Sequence, residues 1–592
     1  MPRGMRQLKH LKTFSLFVIS KNERDGQLDE LKELDIVGSL TIKNLGRVSD
    51  ASMERGISMA KKTSINALKL EWRSINEFRS TIIEDDDNES KRIRDEKIGE
   101  ALEVSTARLK KLKMIGYRGV NLTKLVGKSS PFLTRLELST IASNSVDNEM
   151  IVLFPLLEKL VIKVMKNLRV LVSPTIPSAG AFPNLSTLFI YNCPKLGALP
   201  PHLKSLKRVT LRGECSDELL YSISNLNGTL THLNLSGLNN DVENGIFTVN
   251  NNMNEIEVEL FPLLEKLDIN NVKNLRELVS GAIPSAGAFP NLSSLHISNC
   301  PKLGALPPNL KSLKDVSVSG GCSDELFYSI SNLNDTLTDL TLHQLNNDVE
   351  HIFSVNNNMN GIEVVLFPLL EKLNIWSMKN LRELVSPTIP SAGAFLNLCT
   401  MFISNCPKLG ALPTHLKSLK HIRIDGKCSD KLLYSISNLS ALTHLHIENM
   451  NERSVLFGAG YMTLIFDDEA QLGGGGVRST NFQSLQSLYI SSCKKLRRLF
   501  DEGMISKISG CQNKHFFNSL TEFTIYKCPE LMISVEEFEN LNINNSLQRL
   551  WITKCPKLVS SEEADDFIAL LRSLRTRLDP VNFIADILLE EE

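Results

Sequence analysis

The sequence predicts an α/β solenoid: a curved stack of short repeats with a parallel β-sheet on its concave face and loops and short helices on its convex face. Three observations predict it. A long block occurs three times, seen most clearly as FPNLSTLFIYNCPKLGALP at 182–200, FPNLSSLHISNCPKLGALP at 289–307 and FLNLCTMFISNCPKLGALP at 395–413, so that Cys193, Cys300 and Cys406 are offset by 107 and 106 residues. Inside the block a shorter unit recurs: Leu292, Leu295, Ile297, Cys300 and Leu303 fit L-x-x-L-x-L-x-x-N/C-x-L, the leucine-rich-repeat pattern. Finally, 592 residues are too many for one compact core but suit a stack whose core grows with length.

Taken in order, 1–150 holds irregular repeats. LKHLKTFSLFVI, LKELDIVGSLTIKNL, INALKLEW, LKKLKMIGY and FLTRLEL each alternate apolar and polar positions as a half-buried strand does, giving about five units. Three blocks of four repeats fill 151–450. The central apolar residues of the first block are Leu160, Leu188, Val209 and Leu233, the series resumes at Leu267, and the mean unit is about 27 residues. A Gly-rich insertion spans 451–481 and further repeats span 482–560, carrying Cys493, Cys528 and Cys555. The remaining 561–592 reads as a helical tail or cap. Roughly 20 units result from these periods.

One short strand with its return segment cannot bury an apolar side alone, so repeats stack and pair their strands in parallel. The leucines and isoleucines then point inward, and the alternate residues face outward. Cysteine at the turn leaving the strand is a small, mostly apolar side chain suited to a tight interior position. A second set, Cys215, Cys322 and Cys428, precedes SDELLYSISN, SDELFYSISN and SDKLLYSISN, which read as short helices capped by serine with acids in the first turn. With 11 cysteines, no CxxC pair and no signal peptide, the thiols read as reduced packing groups rather than disulfides or zinc ligands.

Composition excludes several classes. The 66 basic and 67 acidic residues leave a net charge of -1, which offers nucleic acid no general attraction. The basic opening MPRGMRQLKHLKTFSLFVIS has too short an apolar stretch and no small-residue cleavage site, so Phe14 to Ile19 reads as a strand. No stretch approaches the roughly 20 apolar residues of a membrane span, and a soluble intracellular chain is expected. The tetraglycine Gly473 to Gly476 lacks a preceding strand and a following lysine and reads as a flexible insertion. EDDDNE at 84–89 lacks the glycine and glutamate spacing of a calcium loop and reads as a solvated loop. Lys494, Lys495, Arg497 and Arg498 read as a charged turn, with an acidic partner as the alternative. Asn184-Leu-Ser186 and its copies recur with the repeat and imply no glycosylation. No histidine joins a fixed nucleophile or carboxylate in all three blocks: His202 and His415 correspond to Asn309. Catalysis, metal and cofactor therefore have no residues to name.

The three copies also compare with one another. Inward positions change conservatively, as in Val209, Val316 and Ile422. Outward positions change chemical class: Arg208, Asp315, His421; Thr210, Ser317, Arg423; Arg212, Ser319, Asp425; Lys163, Asn270, Trp376; Phe189, His296, Phe402; Tyr191, Ser298, Ser404. Segments read as loops, CPKLGALP and KNLREL, hardly change. A recognition face on a fixed frame accounts for this pattern, and drift at solvated positions is the alternative. The candidate protein-binding face is Lys163, Phe189, Tyr191, Arg208, Arg212, Asn270, His296, Asp315, Trp376, Phe402, His421, Arg423 and Asp425, with the aromatic residues as anchors.

The chain resembles the leucine-rich-repeat region of plant intracellular nucleotide-binding immune receptors of the coiled-coil class. The opening MPRGMRQLKHLKTFSLFVI, then LKELDIVGSLTIKNLGRVSDA, INALKLEW and ARLKKLKMIGYRGV, look like the early repeats of those receptors, and L..L.I..CPKL..LP is typical of their later ones. The resemblance implies a protein ligand, either a pathogen effector or a guarded host protein, and a nucleotide-binding module as a second partner. That module is absent here: Gly127-Lys128-Ser129 has Leu122 where a phosphate loop needs glycine. The chain also begins without a recognisable N-terminal cap, as a truncated receptor, a partial gene model or a product needing a partner at that end would. A repeat adaptor such as a ubiquitin-ligase substrate receptor is a different reading, although no F-box-like helix precedes the repeats. A non-functional receptor remnant is another.

Overall fold

A computed structural model describes the chain except 49–58, 60–61, 74–88, 105–107, 119–130, 140–153, 172–181, 241–244, 249–258, 281–286, 346–348, 354–365, 386–393, 459–481, 502–516, 542–545, 560–563, 586–592 and single positions 2, 23, 103, 414, 483 and 518. The Gly127-Lys128-Ser129 and tetraglycine segments, and all of EDDDNE but Glu89, lie outside the described residues. The chain forms two units, Met1–Ser312 and Leu313–Glu592.

In the first unit eleven strands pair in parallel. Leu16–Val18, Gly38–Lys43, Ile65–Glu71, Lys111–Ile115 and Arg135–Ser139 come from the five irregular segments. Lys159–Lys163, Thr187–Cys193, Arg208–Cys215, His232–Ser236, Lys266–Asn270 and Ser294–Cys300 follow. The second unit has ten: Asp315–Cys322, Asp339–His343, Lys372–Trp376, Thr400–Cys406, His421–Cys428, His444–Glu448, Ser487–Ser491, Glu522–Tyr526, Arg549–Thr553 and Phe583–Ala585. Each unit is a leucine-rich-repeat stack built on one parallel sheet.

Register follows from the apolar spacing. Leu136, Leu160, Leu188, Val209, Leu233, Leu267 and Leu295 lie side by side on successive strands of the first unit. Val316, Leu340, Leu373, Met401, Ile422, Leu445, Leu488, Phe523 and Leu550 do so in the second. All are buried. A slip of one residue would turn every one of them outward, which is why the pairing is unambiguous. Where strands begin, one carbonyl takes two amides of the next repeat: Glu158 O accepts from Ser186 N and Thr187 N at 3.0 Å each, and Lys420 O accepts from Thr443 N and His444 N at 2.9 Å. Behind the strands, buried phenylalanines meet ring to ring, as Phe247 does with Phe261 at 4.7 Å and with Phe289 at 5.0 Å.

Strands end in a left-handed residue that changes the phase of the chain. Leu188 and Ile190 point inward, and strict alternation would send Cys193 outward. Instead Asn192 adopts φ 50°, and Cys193 turns into the core with no exposure. Asn271, Asn299, Asn405 and Asn449 repeat the device, since asparagine tolerates this conformation better than most residues. Gly213 (φ 74°) and Gly426 (φ 74°) serve at strands whose neighbour carries the asparagine. A Cβ at Gly213 would lie 1.9 Å from Asn192 Oδ1, so that oxygen's hydrogen bond from Glu214 N (3.0 Å) depends on glycine beside it.

The cysteines are packing groups. Among the described residues all ten are free thiols. Burial pushes Cys193 and Cys406 up to about 11 and Cys215 up to about 12, so they stay protonated near neutral pH. The serine-capped helices form as the sequence predicts: Ser216, Ser323 and Ser429 accept from Leu219 N, Leu326 N and Leu432 N at 3.0 Å each. Ser222 Oγ then accepts from Leu199 N at 2.9 Å, tying the first of these helices to the CPKLGALP segment.

One reading needs correction. CPKLGALP and KNLREL are not free loops: Leu196, Leu199, Leu275, Leu278, Leu381 and Leu384 are buried, and Glu383–Val385 pairs with His351–Phe353 as a two-stranded sheet apart from the main one. Their invariance is therefore the invariance of core, and the contrast with the changing strand positions is one of interior against surface. The stretch read as a helical tail or cap holds a helix and a closing strand. Helix Ala564–Arg577 places Phe567 against Phe538 at 5.1 Å, and Phe583–Ala585 then joins the sheet beside Arg549–Thr553. A further helix, Glu89–Leu102, falls where no helix was expected.

Two substitutions test this frame with opposite signs. Leu295→Ala, at 1% exposure, should lower stability by about 2 to 5 kcal/mol in a denaturant titration. Val164 is β-branched yet sits at φ 53°, where the equivalent residues of the other two blocks are Asn271 and Ser377; Val164→Asn should raise stability by about 1 kcal/mol in the same titration.

Candidate functional site

Outward side chains form three lanes across each sheet, one residue per strand in each lane. All thirteen candidate residues fall in these lanes, and none is buried. Lys163, Phe189, Tyr191, Arg208, Arg212, Asn270 and His296 lie in the first unit, and Asp315, Trp376, Phe402, His421, Arg423 and Asp425 in the second.

In the first unit the aromatic residues are already matched to cations. Lys159 Nζ stands 4.7 Å from the ring centre of Phe189, and the Arg212 guanidinium 5.6 Å from that of Tyr191. Lys163 reaches Glu137 Oε1 at 2.9 Å, which also accepts from Lys113 at 2.7 Å. Asn270 and His296 lie on the next strands, in different lanes. Asp315 stands on the opening strand of the second unit beside Asp339, apart from the other five there.

Those five come together. Trp376, Phe402, His421, Arg423 and Asp425 line a groove of about 760 Å³ that continues over His444, His446 and Tyr489. The groove is built from adjacent strands: Trp376 lies beside Ser404, Phe402 beside Arg423, and His421 beside His444. Trp376 is 40% exposed and meets Phe402 edge to face at 5.3 Å, with His343 at 5.6 Å on its other side. Arg423 covers the Phe402 ring at 5.2 Å and donates to Glu448 Oε2 at 2.7 Å. Asp425 accepts from Ser404 Oγ (3.2 Å) and Asn449 Nδ2 (2.7 Å).

Sequence reasoning missed His343, His444, His446, Glu448 and Tyr489. The signal was there: THLHIEN and SLYIS alternate as LFIYN does, so the same outward positions could have been read from the fourth strand of the third block and the strand after it. The imidazoles crowd together, with His421 and His444 ring centres 4.4 Å apart and His446 and Tyr489 at 4.0 Å. Burial, followed by the neighbouring His444, lowers the pKa of His421. Burial lowers that of His446 as well, although Glu448 Oε1 at 2.7 Å opposes it. Burial works against ionisation of Glu448, but the Arg423 hydrogen bond and the His446 contact outweigh it, and the carboxyl sits below its usual range. Near neutral pH His421 and His446 are thus neutral rings, set beside a fixed Arg423–Glu448 pair and Asp425. Such a surface is suited to receiving apolar and aromatic anchors from a protein, because little hydration must be stripped from it. Among the described residues no cluster of three or more His, Cys, Asp or Glu could hold a metal ion, and no helix is long and apolar enough to cross a membrane.

A family model described as "R13L1/DRL21 LRRs" matches residues 28–165. The chain is 30% identical over 254 residues to "Putative disease resistance protein RGA1" of Solanum bulbocastanum, covering 38% of this chain and 24% of that protein. It is 28% identical over 253 residues to "Putative disease resistance protein RGA4" of the same species, covering 41% and 23%. The chain thus spans about a quarter of the length of these curated relatives. Among solved structures, the plant peptide hormone receptor RGFR1 in complex with RGF2 aligns at 14% identity with a TM-score of 0.29, covering 92% of this chain and 93% of that one.

The histidine arrangement gives a pH signature. With folded pKa values depressed, His421 and His446 bind fewer protons in the folded state than in the unfolded one as pH falls through about 6.5, so stability is lost on acidification. Thermal melts should show a lower Tm at pH 5.5 than at pH 7.5, by a margin that shrinks in the double variant His421→Gln, His446→Gln; an unchanged margin would show that these two groups do not carry it.

Proposed function

We propose that this chain, a leucine-rich-repeat region of the kind carried by plant nucleotide-binding disease resistance proteins, acts as the module that reads a protein ligand on the open faces of its sheets. The ligand is a pathogen effector or a host protein that the receptor guards, and the setting is the cell interior, cytoplasmic or nuclear. The chain works by binding rather than catalysis, and a nucleotide-binding module is its second partner in the receptor.

One observation carries the reading: five candidate residues chosen only because they differ among three copies of a block converge on a single groove with Trp376 exposed in it. Drift at solvated positions would scatter chemistry over the lanes. It gives no reason for rings, imidazoles and one ion pair to gather on adjacent strands. An exposed tryptophan packed between Phe402 and His343, with Arg423 over the phenylalanine, also supports the reading, since tryptophan and arginine are enriched at interface hot spots.

The test uses the intact chain. It is screened against a library of secreted pathogen proteins, and the affinity of any hit is then measured by calorimetry for wild type and for Trp376→Ala, His421→Ala, Arg423→Ala combined. The triple variant should melt within a few degrees of wild type, Trp376 and Arg423 being exposed and His421 half-buried, and bind at least about tenfold more weakly, equivalent to about 1.4 kcal/mol. Unaltered affinity in a folded triple variant would place recognition elsewhere.

A further inference from the structure

The first unit carries a second surface whose chemistry differs from that of the groove. In its first lane Lys111, Arg135, Lys159, Thr187 and Arg208 sit side by side on five successive strands. Lys111, Arg135 and Arg208 are exposed and Lys159 half-buried. Like charges directly opposite one another in a sheet are destabilising, so this row costs the fold something. The second unit shows the alternative: in the corresponding lane Lys372 pairs with Asp339 at 3.1 Å and Arg549 with Glu522 at 2.6 Å, each across adjacent strands. Among the described residues of the first unit, relief for this row comes from Glu137, one lane over, whose carboxylate is divided among Lys113 at 2.7 Å, Lys163 at 2.9 Å and Arg135 at 3.8 Å. Among the described residues no carboxylate lies within 4.0 Å of Lys111, Lys159 or Arg208. The chain as a whole is nearly neutral, with a net charge of -1, so the row is a local segregation of charge and not a reflection of composition.

We propose that this row of cations on strands Lys111–Ile115 to Arg208–Cys215 is a docking surface for an acidic polypeptide segment, separate from the aromatic groove. Strands in a sheet are spaced about 4.8 Å apart. Carboxylates on one face of a helix, at positions three and four apart, are spaced about 5 to 6 Å. An acidic helix laid across the strands can therefore offer one carboxylate to nearly every cation and relieve their mutual repulsion. The aliphatic stems and the Phe189 ring beneath Lys159 give its apolar side something to rest on. A nucleic-acid backbone fits less well. Four cations in one lane of a chain whose net charge is -1 give a long phosphate backbone no wider basic field to follow.

The test uses the full chain and a fluorescein-labelled peptide of about 20 residues with glutamate at helical spacings of three and four. Fluorescence anisotropy should show binding that weakens as NaCl rises from about 0.05 to 0.15 M, the range in which screening shortens to about 8 Å. Lys111→Glu, Lys159→Glu, Arg208→Glu combined should weaken it at least about tenfold, Lys111→Gln with Arg208→Gln by a smaller factor, and Trp376→Ala not at all. Unchanged binding in the charge-reversed variant, with its circular dichroism intact, overturns the proposal. So does loss of binding on Trp376→Ala alone, or tighter binding of a single-stranded oligonucleotide of equal charge, which would make the surface a nucleic-acid site.

Discussion

The structure depends on the turn by which the chain leaves each strand. A strand alternates its side chains, and a repeat that continued to alternate would expose the third residue after its second inward position, as Cys193 is after Ile190. One left-handed residue breaks that alternation. It still donates its backbone amide to the neighbouring strand, as Ser377 N does to Ser404 O at 2.7 Å and Val164 N to Tyr191 O at 2.7 Å, so no ladder bond is lost while the chain turns inward. The residue that follows, a cysteine at 193, 300 and 406 and Met165, Val272 or Met378 at the strand before each, then enters the core, and the return segment begins from the same place in these repeats.

Because entry and exit are both fixed, the outward residues of a strand are decoupled from the core. The inward ladder and the exit turn specify the fold, while most outward positions, with buried exceptions such as Ile115, Val161 and Ser404, are half-buried or exposed and can be rewritten one by one. That is what the copied blocks record: Lys163, Asn270 and Trp376 occupy equivalent places and share no chemistry. Parallel strands in register then bring residues from distant parts of the chain side by side. Phe402 and His446 are separated by 44 residues and lie in the same lane of the same groove, with only Arg423 between them.

Much of this was legible in the sequence, for a physical reason: apolar side chains spaced two apart and repeated every 20 to 29 residues have one way to be buried. Leu160, Leu188, Val209, Leu233 and Leu267 could be read as a ladder directly, and the serine caps followed from residue type. What was not legible lacked a period. Two-residue strands such as Phe247–Thr248, the helix Glu89–Leu102 and the closing strand Phe583–Ala585 depend on tertiary neighbours rather than on local pattern. KNLREL read as a loop because it is short and charged, yet its leucines are core. The groove was half legible: comparing copies found Trp376, Phe402, His421, Arg423 and Asp425, but His446 and Tyr489 join it only through strand pairing.

The central claim is that recognition takes place on the open face of the sheet and not on the helices and loops behind it. The most direct measurement is photo-crosslinking of the intact chain, bound to its protein ligand, with photoreactive benzoylphenylalanine at the position of Trp376 in one preparation and of Tyr328 in another. Tyr328 is 59% exposed on the helix Asp324–Ser329, in the segment that returns behind the strands. Recognition on the open face yields a covalent adduct with the ligand from position 376 and none from 328. An adduct from 328 with none from 376 would contradict it.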